Sequence, residues 1–268
     1  MGQSHPVKSV SITYIGGPTA LIEVGGMRLM TDPTFDPPGA HPVGNRVLTK
    51  LVGPALPFEE CLPVDAVLLS HDQHPDNLDN LGREALAKVP LTLTTGSAHK
   101  RLGGHTQVLA NWESTTLSGN GGGTLTITGV PALHGPEGAE AAAGEVTGFV
   151  ISGASIPTIY ISGDNASIDV VRMIRERIGV IDIAILFAGA AQTALLNGNN
   201  LTLTSDMAAE AAQILQVSSV VPLHFEHWAH FTQGKKSLLS AFKEKGLDDR
   251  LHILEPGKLQ RLDSVKLV

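Results

Sequence analysis

The chain has a single cysteine, Cys61, among its 268 residues. One thiol cannot build an internal disulfide framework, so a core must hold the fold, and the usage fits a reducing, cytosolic setting. No apolar run reaches the roughly 18 residues that a membrane span needs. The opening stretch "MGQSHPVKSV" also lacks the apolar segment of a secretory signal. Basic residues are scarce: 19 Lys and Arg stand against 26 Asp and Glu, a net charge of −7. Wide nucleic-acid contact needs concentrated Lys and Arg to neutralise phosphates, so that class of partner is excluded. There is no internal repeat and no low-complexity tract. What is present is enough chain to bury a substantial core, read as one domain over residues 1–268 of a cytoplasmic protein.

The N-terminal third alternates short β-like runs with glycine turns. "SVSITYIGG", "TALIEVGG" and "MRLMTDP" read as three successive strands. A segment rich in proline and glycine, Phe35 to Pro63, reads as a surface loop or cover. "DAVLLS" (65–70) is a buried strand, and further strands are expected at 122–133, 147–153, 157–163 and 181–187 and in "SSVVPLH". Ile168, Val171, Ile174 and Ile178 recur at helical spacing behind a Ser167 cap. A second helix begins near Ser205, and a third covers "KKSLLSAFKEKG" with Gly246 as its stop. "GGG" at 121–123 reads as a hairpin turn, and "GAEAAAG" (138–144) as a mobile loop. A β-rich first half followed by strand–helix alternation implies two sheets packed together with helices outside.

The chemistry lies where the strands end. "LLSHDQHPDNLD" (68–79) puts His71 directly after a strand, with His74 and Asp76 just beyond. His134 follows the strand ending near residue 133, Asp164 follows "TIYISG", and His224 follows "VVPL". Each of these alone reads as a hydrogen-bonded surface histidine or a turn aspartate. Four strands ending in such residues, with their ends converging on one edge, point instead to a divalent-metal site. Imidazoles with carboxylates suit zinc first, and manganese, iron or nickel as alternatives. His5, His41, His99, His105 and His252 lack this placement and are assigned to surface or core.

The ordered set "ITYIGGPTALIEVGGMRLMTDP", "VDAVLLSHDQHPDNLD", "VLANWES", "VPALHGP", "VTGFVI", "YISGD" and "VVPLHFEHW" resembles the metallo-β-lactamase superfamily. Within it, the resemblance is to the branch of ascorbate-phosphate lactonase and N-acyl phosphatidylethanolamine phospholipase D, and it runs from about Ile12 to His230. It implies an α+β fold, an αββα sandwich of two mixed β-sheets packed face to face with helices outside and metal at one edge. The family pattern H-x-H-x-D-H is altered here. Strict spacing from His71 puts Gln73 at the second ligand, Pro75 at the aspartate and Asp76 at the last histidine. One inserted residue instead matches His74, Asp76 and the trailing "LD", leaving Asn77 in place of the last histidine; this alignment keeps more of the pattern and is preferred. The resemblance then gives His71, His74 and His134 to a first metal, Asp76 and His224 to a second, and Asp164 as a bridge. Asn77 has only a neutral amide oxygen to offer as a weak ligand. The first metal is therefore expected to be tight, and the second weak, different in kind or absent.

Such a metal lowers the pKa of a bound water and polarises the attacked group, and the resemblance implies a hydroxide near Asp76 and Asp164, where a carboxylate can orient it. Asp32 is expected behind a ligand histidine, or else as a turn residue before Pro33. Glu226, His227 and His230 read as surface or supporting residues, with contact to substrate or leaving group as the sharper alternative. Trp112 and Trp228 wall a pocket or fill the core. The first reading is a metal-dependent hydrolase of a small-molecule ester, lactone or phosphodiester. The alternative is a non-catalytic metal- or ligand-binding protein on the same fold. A homo-oligomer is left open.

Overall fold

In the computed structural model, which describes residues 9–119 and 123–263, glycine pairs turn the first three strands back on one another: β1 (Ser9–Gly16), β2 (Thr19–Val24) and β3 (Met27–Thr31). There follow β4 (Gly39–Val43), β5 (Arg46–Lys50), α1 (Phe58–Cys61), β6 (Ala66–Leu68), α2 (Asn80–Leu86), β7 (Thr92–Thr94), α3 (Gly96–Leu102) and β8 (Thr106–Val108). The next elements are β9 (Ser114–Ser118), β10 (Thr124–Pro131), α4 (Glu140–Ala143), β11 (Thr147–Ser152) and β12 (Ile159–Ile161). The chain ends with α5 (Ile168–Ile178), β13 (Ile183–Phe187), α6 (Ser205–Leu215), β14 (Ser219–Leu223), α7 (Lys235–Glu244) and β15 (Leu259–Asp263). One sheet has the order β15-β1-β2-β3-β6-β7-β8 and the other β14-β13-β12-β11-β10-β9, while β4 and β5 pair as a separate hairpin.

The period-two alternation of side chains sets the layers. In β13, Ile183, Ile185 and Phe187 face the other sheet, where they meet Ile12 and Tyr14 of β1 and Leu29 of β3. The intervening Ala184 and Leu186 face outward and pack with Val171 and Ile174 of α5 and Ala208 and Ala212 of α6. On the far side of the first sheet, Ile15, Met30 and Val67 pack with Phe58 of α1 and Ala85 of α2. Burying each large aliphatic side chain in these layers contributes about 1.5–3 kcal/mol. The result is the expected αββα sandwich. The predicted helices form where their caps lie: the side chains of Ser167 and Thr204 accept from Val170 N and Met207 N at the starts of α5 and α6.

Two expectations are corrected. The segment Phe35–Pro63 is not a plain loop: it holds the β4–β5 hairpin and α1, with Phe35, Phe58 and Cys61 in the core. Its anchor is Lys50, whose buried Nζ donates to Asp79 Oδ2 at 2.9 Å and to the Thr34 carbonyl at 3.1 Å. The alanine run at 138–144 folds as the short helix α4, because Ala139 and Ala143 bury against Ala191 and Leu201. The "GGG" turn falls partly outside the described residues, although β9 and β10 on either side pair antiparallel.

Candidate metal centre

The loop ends of β6, β10, β12 and β14 carry the polar residues to one edge between the sheets. The backbone there is tightly specified. His224 N donates to the Gly17 carbonyl at 2.8 Å, which docks the β1–β2 turn on the end of β14. A Cβ on Gly17 would sit 3.2 Å from the Trp228 indole nitrogen, and its φ is +56°, so glycine suits this close approach. His224 and His227 themselves adopt positive φ (+55° and +77°). Non-glycine residues in this region carry about 1–3 kcal/mol of strain each, which the surrounding contacts must offset.

His71, His74 and His134 come together: one ring nitrogen from each lies within 4.8 Å of the other two. His71 Nε2 is 3.0 Å from His74 Nδ1, and His134 Nε2 is 3.3 Å from the same atom. The protons on these rings can be placed. His134 Nδ1 donates to the Leu201 carbonyl at 2.8 Å, so its Nε2 presents a lone pair. The Ser70 hydroxyl gives its one hydrogen to Asp32 Oδ2 at 2.6 Å and therefore accepts from His71 Nδ1 at 2.9 Å. His71 Nε2 is then also a lone pair. A proton on His74 Nδ1 would serve one of these two acceptors, whereas a cation among the three serves all of them. Burial lowers His71 well below the ordinary imidazole value and His74 to about 4, keeping both rings in the neutral form that ligates metal.

Beside these imidazoles lies a carboxylate half. His224 Nε2 is 3.4 Å from both Asp76 Oδ2 and Asp164 Oδ1, closing a hydrogen bond to neither, and its Nδ1 has no partner. Asp164 Oδ2 also lies 3.6 Å from His134 Nδ1, which ties the two halves together. Burial would raise both carboxyls, yet the neighbouring imidazoles outweigh it and hold Asp76 and Asp164 well below the usual range. Burial would likewise lower His224, but Asp164 and Asp76 push it up to about 10. Two buried carboxylates thus demand positive charge at this point. Donor atoms around a tetrahedral ion with bonds of about 2.0–2.1 Å stand about 3.3–3.4 Å apart. The 3.0–3.4 Å separations in both halves match that spacing, so the donor set fits a divalent metal.

Asn77 is buried with its amide nitrogen donating to Asp32 Oδ2 at 3.0 Å and Asp164 Oδ1 at 3.2 Å. Ionised, both partners only accept, which orients the amide and leaves its oxygen as the one group to offer a cation. Asp32 supports His71 through Ser70 rather than directly, taking the Ser70 N–H on Oδ1 as well. Burial raises Asp32 to about 7 against these three donated hydrogen bonds. Gln73 stands apart: its side-chain oxygen accepts from Asp72 N at 3.2 Å, and its amide group packs against Gly144. His41 is buried in contact with Trp228, while His99 and His252 are half-buried and His105 is exposed, none of them in the donor set. His5 lies outside the described residues. The residue that strand-end reasoning passed over is His230, whose Nε2 is 3.0 Å from Asp76 Oδ2. Its only signal in the sequence was the histidine-rich "HFEHWAH". Glu226 and His227 do not join the donor set; His227 stacks on Tyr14 with ring centroids 5.7 Å apart.

A paired-sheet sandwich with histidines and aspartates gathered at one edge defines a protein of the metallo-β-lactamase fold. The sequence profile described as "Beta-lactamase superfamily domain" matches residues 27–225, and the chain belongs to that family. It is 27% identical over 261 residues to a UPF0173 metal-dependent hydrolase of Anaeromyxobacter sp. (strain K), covering 92% of this chain and 85% of the relative. A UPF0173 metal-dependent hydrolase of Thermus thermophilus is 25% identical, with 95% of this chain and all of the relative covered (100%). Among solved structures, the isothiocyanate hydrolase from Delia radicum gut bacteria superposes with a TM-score of 0.80 at 22% identity, over 95% of this chain and 100% of that one. No helix among the described residues is long and apolar enough to cross a membrane.

Proposed function

We propose that the chain is a metal-dependent hydrolase acting on a small-molecule ester, lactone or phosphodiester in the cytoplasm. The observation that carries this is the three-imidazole cluster, whose facing nitrogens cannot satisfy one another, set beside Asp76 and Asp164. His71, His74 and His134 would hold one divalent ion, zinc first by donor type, with manganese, iron or nickel as alternatives. Such an ion supplies Lewis acidity and makes water nucleophilic near neutral pH. Asp76 and Asp164, both held ionised, would orient the attacking water by accepting its hydrogen bonds on their carboxylate oxygens. By donor type the second position, short of an imidazole at 77, is the weaker.

An open cleft lies over the centre, lined by His74, Asp76, His134, Asp164 and His230 on the polar side. Leu48, Leu195, Leu196 and Leu201 give it an apolar wall. Arg46, fixed by donation to Thr193 Oγ1 at 2.7 Å, brings a cation to the same wall. A substrate with an apolar body and an anionic or strongly polar end fits that lining. The test is metal analysis of the purified protein followed by assay on esters, lactones, phosphodiesters and isothiocyanates, the last because of the solved isothiocyanate hydrolase. Asp164→Asn should abolish whatever turnover is found, by orders of magnitude, while circular dichroism stays unchanged; Glu226→Gln is the mild control. Metal-loaded protein inert on every member of the panel, or full activity in Asp164→Asn, favours the second reading, a binding protein without turnover, to which Asn77 lends its one specific support.

A further inference from the structure

The family-like ligand set lacks an imidazole at position 77, and the fold delivers one from another part of the chain. We propose that His230 takes that place, joining Asp76, Asp164 and His224 to hold a second divalent cation beside the three-imidazole position. This rests on the metal-dependent reading above and names the residue that decides whether the centre holds one ion or two.

Three observations carry it. First, Asp76 Oδ2 is approached by two imidazole Nε2 atoms, from His230 at 3.0 Å and from His224 at 3.4 Å. Second, this half of the centre concentrates buried polar atoms without partners: both nitrogens of His224, Asp76 Oδ1, Asn77 Oδ1 and His230 Nδ1. Native interiors seldom leave such groups unpaired, and a cation supplies a common partner for the lone pairs among them. Third, His230 is held in place rather than loosely exposed. After the left-handed turns at His224 and His227, Lys50 and Trp228 pair as an antiparallel bridge and Ala229 N donates to the Thr49 carbonyl. On the other side of His230, Phe231 pairs with Ala191, and Thr232 N and Gln233 N both donate to the Gly189 carbonyl. The segment is thereby clamped between the β4–β5 hairpin and the end of β13, with the His230 side chain 17% exposed into the cleft.

Asn77 cannot do the same work, because, with its amide nitrogen donating to Asp32 and Asp164, it has only a neutral amide oxygen to turn toward a cation, a weaker ligand than an imidazole nitrogen. The donors of this half are less closely gathered than the three imidazoles, which are the group of three found within 4.8 Å among the described residues. The second ion is therefore the weaker of the two.

The experiment is calorimetric zinc titration of the chelator-stripped full chain, with elemental analysis after gel filtration. Wild type should take up zinc in two phases, one tight and one weaker, reaching two ions per chain. His230→Gln and His230→Ala should both keep the tight phase and lose at least about tenfold in affinity for the second, since an amide is a poor substitute for an imidazole. His74→Ala should instead remove the tight phase. A His230→Gln chain that still binds two ions as wild type does would show that His230 only holds Asp76 by hydrogen bonding, and would overturn the proposal. So would a single phase in wild type that His230→Gln leaves unchanged. No zinc uptake by wild type would sink the metal-dependent reading itself, a result distinct from either.

Discussion

Ser70→Ala tests the proton placement on which the three-imidazole cluster depends. The hydroxyl gives its hydrogen to Asp32 Oδ2 and accepts from His71 Nδ1, so it both orients the ring and selects the tautomer with a free Nε2. Removing it leaves a buried N–H without a partner, at about 1–3 kcal/mol of folding stability. Loss of such an outer partner typically lowers metal affinity about 10–100-fold, which corresponds to about 1.4–2.8 kcal/mol of binding. The expected result is a zinc dissociation constant higher by that factor, read by competition with a chromophoric chelator, with a modest fall in melting temperature. Asp32→Asn acts on the same relay: the serine hydrogen is no longer committed to a carboxylate, and the hydroxyl is free to donate to His71 Nδ1 and trap the wrong tautomer. The two substitutions should therefore be non-additive, the double variant scarcely worse than the weaker-binding single. Unchanged zinc affinity in Ser70→Ala, or losses that simply add, would refute the relay.

Three further outcomes follow from the same contacts. His74→Ala should cut zinc content sharply while Gln73→Ala leaves it near wild type in elemental analysis; the reverse would restore strict spacing from His71. Lys50→Met leaves Asp79 buried and without its cation, which costs up to about 3–5 kcal/mol, softened because Asp79 keeps the N–H groups of Phe35, Asp36 and Gly82; urea denaturation with a loss below about 1 kcal/mol would show the pair to be dispensable. In chelator-treated protein, the His74 pKa of about 4 lies below its ordinary 6.5, so over that interval the unfolded chain binds a proton that the folded chain refuses. Stability should fall as pH drops from about 6.5 to about 4, and His74→Gln should flatten that slope in melting temperature against pH.

Much of the architecture was legible because it is local. The runs "IDIAILF" and "TIYISG" read as strands, and the cap at Ser167 opens a helix whose apolar spacing is visible in the sequence. The strand-end residues His71, His134, Asp164 and His224 were readable for the same reason, since a residue following a strand must emerge at the sheet edge. The insertion that favours His74 over Gln73 was readable as a pattern, and the structure gives its geometry by turning Gln73 toward Gly144. The hairpin within Phe35–Pro63 was not legible, because its anchor is a buried lysine whose partner, Asp79, lies beyond β6. The tie from Asn77 to Asp32 and Asp164 was equally hidden. His230 is the clearest case. Its place beside Asp76 depends on two left-handed turns and on bridges to Lys50 and Ala191, contacts between segments far apart in the chain. Period and turn chemistry act over a few residues and can be read in order. Which side chains meet across a cleft is decided only when both sheets and the hairpin have closed, because only then do burial and unpaired polar groups select one arrangement.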